Sequence, residues 1–425
     1  MPARRAVASV ALAQVALALA LFSSCKTTLH SIGCGESTYT LNGGVALAPL
    51  RAGGPYPNAF RDVLGKSDAE IAAKLAATFD QLFHGDPSSE AIYFTTGTDQ
   101  GYILDVIHDD VRTEGMGLGM MIAVELGKRD EFDRLWRYAK AIQHASGPSQ
   151  GYFPSFCDKG SAMFACDDPF GLQQIANALL LARGRWIGAP GAIDYGHEAR
   201  NILDIIRYKQ DYNCGIVDGV TGTFDTNSKL VYDTPSVDSA TISRPSIVMP
   251  AYYELWYQAT GDAFWSEAAA AARNYWTASA NASSGLLPVR ATFDGTPVPG
   301  SDTFAPESYR ALISIVLDYL WTGNQSWAPW AVNESNRLLQ VFAGRGIDTY
   351  GGSYSWDGRT VVDSTHQNSL VAASGALALI ATFDRRAEFI NAAWNLAPST
   401  GKPRYYSGVM IMLAQLILSG QMVVY

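Results

Sequence analysis

The stretch Asp110-Val111-Arg112-Thr113-Glu114-Gly115-Met116-Gly117-Leu118-Gly119-Met120-Met121-Ile122-Ala123 sets one carboxylate at the mouth of an apolar, glycine-relieved helix. Packing there takes Glu114 partly out of water, disfavours its ionised form and raises its pKa, as a proton donor at neutral pH requires. A Glu in a first helical turn also serves simply to complement the helix dipole, so the rest of the chain must decide. Three later loops place aromatic rings beside carboxylates and amides: Tyr152-Phe153-Pro154, Phe304-Ala305-Pro306-Glu307-Ser308-Tyr309-Arg310, and Tyr350 to Trp356. Such flat rings stack on sugar faces, although any single ring more commonly fills core. Together these features point to acid catalysis on a neutral, ring-shaped substrate.

The elements that must position these residues are helices. Apolar-periodic blocks run over 68–83, 114–126, 131–144, 171–182, 193–208, 250–260, 263–278, 307–321, 327–343, 368–383, 386–396 and 405–419. Segments 117–126, 311–320 and 370–380 are apolar on nearly every face, whereas 131–144 and 198–207 show a charged face. Buried helices alternating with surface helices predict two concentric helical rings, a closed toroid of helix pairs. A solenoid would need a self-similar repeat, and the chain has none.

At 425 residues and 48% hydrophobic, the chain is long enough for one large core, and no low-complexity linker divides it after about residue 60. A net charge of -9 argues against nucleic acid or an anionic membrane surface as partner. Residues 1–24 read as an export signal: Arg4 and Arg5, an apolar run from Val10 to Phe22 broken by Gln14, then Ser23-Ser24-Cys25. Leu21-Phe22-Ser23-Ser24-Cys25 resembles a bacterial lipobox in which Cys25 is lipidated; cleavage without lipidation is the alternative, and either places the mature protein outside the cytoplasm. Residues 25–60 follow as an extended linker and 61–425 as the catalytic domain. Cys157 and Cys166 are spaced to close a short disulfide loop, with Cys34 and Cys214 as the other cysteines of the mature body. The six histidines are scattered and none pairs with cysteines at ligand spacing, so no metal and no cofactor is expected.

Longer stretches resemble glycoside hydrolase family 8. They are Gly101 to Asp105, Asp110 to Val124, Glu131 to Trp136, Asn177 to Trp186, Ala251-Tyr252-Tyr253-Glu254-Leu255, Phe264-Trp265, Glu307-Ser308-Tyr309-Arg310, Ala392 to Asn395 and Thr400 to Tyr406, in family order. The pattern looks most like the bacterial xylanases and reducing-end xylose-releasing exo-oligoxylanases of that family. The resemblance implies an all-α (α/α)6 barrel and an inverting mechanism on a β-1,4-linked oligo- or polysaccharide. One carboxylic acid protonates the leaving oxygen while a carboxylate roughly 6.5–9.5 Å away activates water.

Glu114 matches the family acid. The base of the xylanase branch is an Asp directly before Ser-Tyr-Arg, where this chain has Glu307; Asp302 is a substitute if its loop folds inward. A third carboxylate, which helps distort the sugar, maps to Asp168 with Asp167 as runner-up, and either residue also suits an N-cap ahead of Pro169. The resemblance further implies substrate contacts from Tyr253 and Tyr309, a role for Arg310 in orienting the base loop, and His366 as a wall closing the far end of the cleft in exo-acting members. Two alternatives stay open: a cellulase or chitosanase of the same family, and a carbohydrate-binding surface lipoprotein that has lost its chemistry.

Overall fold

In the computed structural model, which describes residues 47–51, 54–157, 167–188, 191 and 193–425, the apolar blocks are helices close to their expected bounds. The first are α1 (Ala59–Asp62), α2 (Asp68–His84), α3 (Thr113–Glu125), α4 (Arg129–Ile142), α5 (Pro169–Arg185) and α6 (Tyr195–Tyr212). There follow α7 (Pro250–Thr260), α8 (Ala263–Ser279), α9 (Tyr309–Thr322), α10 (Ala328–Ala343), α11 (Asn368–Ile380), α12 (Arg386–Asn395) and α13 (Arg404–Leu418). Their characters alternate as expected. In α3 every residue but Glu114 is buried, whereas α4 buries Phe132, Leu135, Trp136, Tyr138 and Ala139 and turns its charges to water.

Each of the more buried helices packs against a more polar one: α3 on α4, α5 on α6, α7 on α8, α9 on α10, α11 on α12, and α13 on α2. The buried helices also touch in sequence, α3 to α5, α7 to α9, α9 to α11, α11 to α13, and α13 back to α3. Between α5 and α7 the link is polar: the Tyr252 hydroxyl donates to Gln174 Oε1 at 2.8 Å and the Tyr253 hydroxyl to Gln173 Oε1 at 2.7 Å.

An all-helical fold leaves out the strands that the loops contain. The largest sheet has order β1 (Tyr93–Thr96), β2 (Gln100–Asp105), β3 (Asp110–Arg112), β4 (Phe156–Cys157), all antiparallel, with Tyr93 opposite Ile103, Leu104 opposite Val111 and Val111 opposite Cys157. A small pair joins β5 (Ile242–Ser243) to β6 (Ala291–Thr292). A third sheet runs β7 (Thr303–Phe304), β8 (Ser353–Ser355), β9 (Val361–Asp363), with Phe304 opposite Tyr354. Strands this short give too few alternations for a period of two to show in sequence.

Two further expectations change. The linker is not extended throughout: Leu47, Ala59 and Phe60 are buried, the Ala48 amide donates to Ala259 O at 2.8 Å, and Arg183 donates to the carbonyls of Leu47 and Ala48. The Cys157–Cys166 disulfide is not formed. Cys157 is a buried thiol whose sulfur lies 3.8 Å from the Tyr138 hydroxyl, because β4 pairing on β3 commits it to the core, and among the described residues it is Cys214 that is disulfide-bonded. The export signal, Cys25, Cys34 and Cys166 lie outside the described residues.

Candidate active site

Glu114 is the second residue of α3, and paired backbone delivers it. Arg112 closes β3 opposite Phe156, the Thr113 amide donates to Ser155 O at 3.2 Å, and the Thr113 hydroxyl donates to Pro154 O at 2.5 Å. Behind this turn the buried Asp105 carboxylate takes Arg112 Nε at 2.8 Å and His108 Nδ1 at 2.7 Å.

The Glu114 carboxylate is held by two other helix starts. Tyr405, in the first turn of α13, donates its hydroxyl to Oε1 at 3.1 Å, and Arg310, in the first turn of α9, donates Nη1 to Oε2. The Glu114 side chain keeps 23% exposure against 7% for Arg310, so a ligand can reach the acid but not its partner. Burial works to raise the Glu114 pKa, but the Arg310 charge and hydrogen bond, with Tyr405 and Arg112, outweigh it and hold the carboxyl below its ordinary range. The upward shift expected from sequence is thereby reversed: a half-buried carboxylate against a buried guanidinium stays ionised.

The raised carboxyl is Asp168 instead, pushed up to about 6 by burial and then by the charge of Glu114, against the opposing charges of Arg244 and Arg310. Asp168 caps α5, its Oδ1 accepting from the Phe170 amide at 2.9 Å with Pro169 in the first turn, so the capping alternative is realised and the carboxyl still feels the acid. A folded pKa above the ordinary aspartate value of about 3.9 means that the stability Asp168 contributes is present below about pH 4 and lost as pH rises to about 6. Asn caps comparably and carries no charge. Asp168→Asn is therefore expected to match the parent in thermal unfolding at pH 4 and to melt higher at pH 7 to 8; equal melting at both would show that the carboxyl is not destabilised by its site.

Asp167 is spent on structure. Its Oδ2 accepts from Ser149 at 2.6 Å and its Oδ1 lies 3.0 Å from His144 Nε2, which leaves the runner-up committed away from any ligand. Gly171 explains how α5 comes so close to Glu114: a Cβ there would lie 2.5 Å from the Thr113 carbonyl carbon and 2.7 Å from Asp168 Oδ2. Gly171→Ala should cost about 1–3 kcal/mol in chemical denaturation, an overpacking penalty, and lower activity with it; an unchanged midpoint would mean the two helix starts are not in rigid contact.

Glu307 sits exposed in a 3-10 turn, Pro306–Ser308, between β7 and α9. The Tyr406 hydroxyl donates to the Pro306 carbonyl, tying this turn to α13, and the Glu307 charge is felt at both Arg310 and Tyr406. Asp302 is exposed ahead of β7.

Arg310 hydrogen-bonds Glu114 and meets the base loop only through the charge of Glu307. It holds the acid, with its guanidinium 4.4 Å over the Phe170 ring, because the first turn of α9 points it inward toward α3 and α5. Tyr253 and Tyr309 are core residues rather than substrate contacts. Tyr253 is 1% exposed with its hydroxyl on Gln173, and Tyr309 is fully buried with its hydroxyl donated to Gly352 O. His366 lies half-buried with Nδ1 2.8 Å from Tyr350 O and its ring edge-on to Tyr350. Sequence reasoning missed Tyr405 and Tyr406, one hydroxyl to Glu114 and one to the loop of Glu307. They stood in the quoted 400–406 stretch, but two tyrosines opening an apolar helix read as core.

The chain is similar to known proteins over most of its length. Residues 98–420 match the model of the glycosyl hydrolases family 8. The reducing-end xylose-releasing exo-oligoxylanase Rex8A of Paenibacillus barcinonensis is 33% identical over 383 residues, spanning 88% of this chain and 97% of that protein. A reducing end xylose-releasing exo-oligoxylanase of Halalkalibacterium halodurans is 34% identical over 376 residues, 86% of this chain and 93% of that one. The crystal structure of a family 8 xylobiose complex from Teredinibacter turnerae superposes with a TM-score of 0.80 at 31% identity, covering 86% of this chain and 97% of that one. The chain belongs to glycoside hydrolase family 8.

Proposed function

We propose that this protein is an inverting glycoside hydrolase that cleaves β-1,4-linked xylan or xylo-oligosaccharides, its helices closing an (α/α)6 barrel around the site. The observation that carries the reading is the convergence at one end of the helices: Glu114 held by Arg310 and Tyr405 from two other helix starts, with Asp168 near enough for its charge to be felt. The length and identity of the match to two exo-oligoxylanases favour pentose over hexose chains.

In this reading Glu114 is the general acid. Free of substrate it is paired with Arg310, so it must take up a proton as the sugar binds. A sugar covering the site removes the remaining water and favours the neutral carboxyl, and the Glu114–Asp168 pair, which repel each other, bind that proton together rather than singly. Protonation of the leaving oxygen by Glu114 then coincides with attack of a water activated by Glu307 from the opposite face. Arg310 and Tyr405 hold the acid, and Tyr406 holds the loop of the base. Asp168 takes the part of the carboxylate that grips and distorts the sugar. His366, pinned by Tyr350, supports an exo mode in which the chain ends against it.

Domain limits and location belong to the same proposal: an export signal over residues 1–24, anchoring or release at Cys25, and a catalytic body over 61–425 outside the cytoplasm. Proton NMR during incubation with linear xylo-oligosaccharides, and in parallel with cello- and chito-oligosaccharides, tests the whole reading. Release of xylose with an α-anomeric product is expected. A β-anomeric product would overturn inversion, hexose-chain cleavage alone would assign a cellulase or chitosanase, and saturable binding with no turnover would leave a binding protein.

A further inference from the structure

We propose that Arg244, held in place by Asp233 and shared charge with Arg290, is a positioning residue for the cleavage reaction that acts through the sugar-gripping carboxylate Asp168, an inference that rests on the role given to Asp168 above. Arg244 follows directly on β5 and opens the turn that leads into α7. Three hydrogen bonds fix that turn: the Ile247 amide donates to Arg244 O at 3.0 Å, the Trp276 indole of α8 to Pro245 O at 2.7 Å, and Gln173 Nε2 to Ile247 O at 3.1 Å. The same Gln173 nitrogen donates to Pro169 O at 2.9 Å, and Pro169 is the residue after Asp168. One side chain thus ties the Arg244 turn to the helix start that Asp168 caps.

The guanidinium is fixed as firmly as its backbone. Its Nε lies 2.5 Å from Asp233 Oδ1 and its Nη2 donates to Asp233 O at 3.0 Å, while Arg290 Nε lies 3.0 Å from Asp233 Oδ2. The Asp233 amide donates to Ile242 O in β5 at 2.9 Å, which sets the carboxylate beside the turn. Two guanidinium groups share one carboxylate, so these three side chains hold a surplus positive charge in a chain whose net charge is -9. Arg244 keeps 16% exposure against 44% for Arg290, so the more buried cation is the less screened. Charged side chains act on Asp168 from three directions: Glu114 of α3 disfavours its ionised form, and Arg310 of α9 and Arg244 favour it. Arg310 is already paired with Glu114, whereas Asp233 has Arg290 as a second partner, so the charge of Arg244 is left to answer Asp168. A sugar closing over the site removes water, and a fixed cation then keeps Asp168 a carboxylate able to accept hydroxyl hydrogen bonds.

kcat/KM on a linear xylo-oligosaccharide from pH 5 to pH 8, and thermal unfolding at pH 4 and pH 8, are compared for the parent, Arg244→Met, Arg244→Lys, Asp168→Asn and the double variant Arg244→Met/Asp168→Asn. Asp233 keeps Arg290 in Arg244→Met, so no carboxylate is left without a partner. Arg244→Met is expected to lose about tenfold at pH 5 and to approach the parent at pH 8, where Asp168 ionises unaided, and Arg244→Lys should restore most of the loss. Its melting temperature should fall further below the parent's at pH 8 than at pH 4, because the folded state then holds a carboxylate with less support. In the Asp168→Asn background both pH dependences should vanish, since the two residues act as one unit. A loss equal at every pH, or one that keeps its pH dependence without the Asp168 carboxyl, would overturn the proposal while the parent's activity leaves the substrate reading standing. A parent that cleaves no xylo-oligosaccharide would overturn the substrate reading, and this role with it.

Discussion

Glu114→Gln should lower kcat on linear xylo-oligosaccharides by about 10²- to 10⁴-fold, the usual worth of a positioned general acid. The amide keeps one oxygen to accept from Arg310 and turns its NH2 to the Tyr405 hydroxyl, which can accept, but it has no acidic proton to give. The loss should shrink on a fluoride or aryl glycoside, whose leaving group departs without protonation, and this contrast separates an acid from a residue that merely shapes the site. Stability should also respond. Arg310 is buried and loses its carboxylate, a break that costs about 3–5 kcal/mol for a well-desolvated pair. Asp168 offsets part of it, because removing the Glu114 charge lets its carboxyl ionise more readily beside the same guanidinium. A variant that melts lower, binds xylo-oligosaccharide and turns over only activated substrates is the expected result. Full activity on the unactivated chain would remove Glu114 from the mechanism.

Glu307→Ala is expected to lose activity on a similar scale of about 10²- to 10⁴-fold, but with the opposite substrate dependence. A missing base slows attack by water whatever the leaving group, so activated glycosides should not recover. Azide, which needs no base, should restore turnover and yield the α-glycosyl azide from a β-linked substrate, since it enters from the face the water would have used. Glu307 is exposed in its turn, and the turn is fastened through Pro306 to Tyr406, so its removal should leave the melting temperature nearly unchanged. Glu307→Asp asks whether the loop has adapted to the longer side chain. Retracting the carboxylate by about an angstrom should cost up to a hundredfold if it has, and raise the rate if it has not. An unchanged rate in Glu307→Ala would pass the base role to another group, Asp302 being the nearest in sequence.

The helical half of this architecture was legible in the chain because burial writes itself into periodicity. Residues 117–126 and 370–380 are apolar on nearly every side, and the structure buries nearly every side of them in α3 and α11. The bounds of α7 coincide with the block read from sequence, set by Pro250 at its start and Gly261 in the left-handed region after its end. Glu114 was legible for the same reason: it is the single carboxylate between Thr113 and Val124, in an otherwise apolar run.

What the sequence did not determine was the charge state of that carboxylate. A pKa depends on what stands within a few ångströms, and the groups that set it, Arg310 and Tyr405, are 196 and 291 residues away along the chain. Only the tertiary structure brings three helix starts together, leaves the acid ionised and moves the raised pKa to Asp168. The same holds for Tyr253 and Tyr309, whose identity suits a sugar but whose hydroxyls are spent on Gln173 and Gly352. Residue types and spacing fix which groups are able to do chemistry; long-range packing decides which of them are left free, and in which protonation state, to do it.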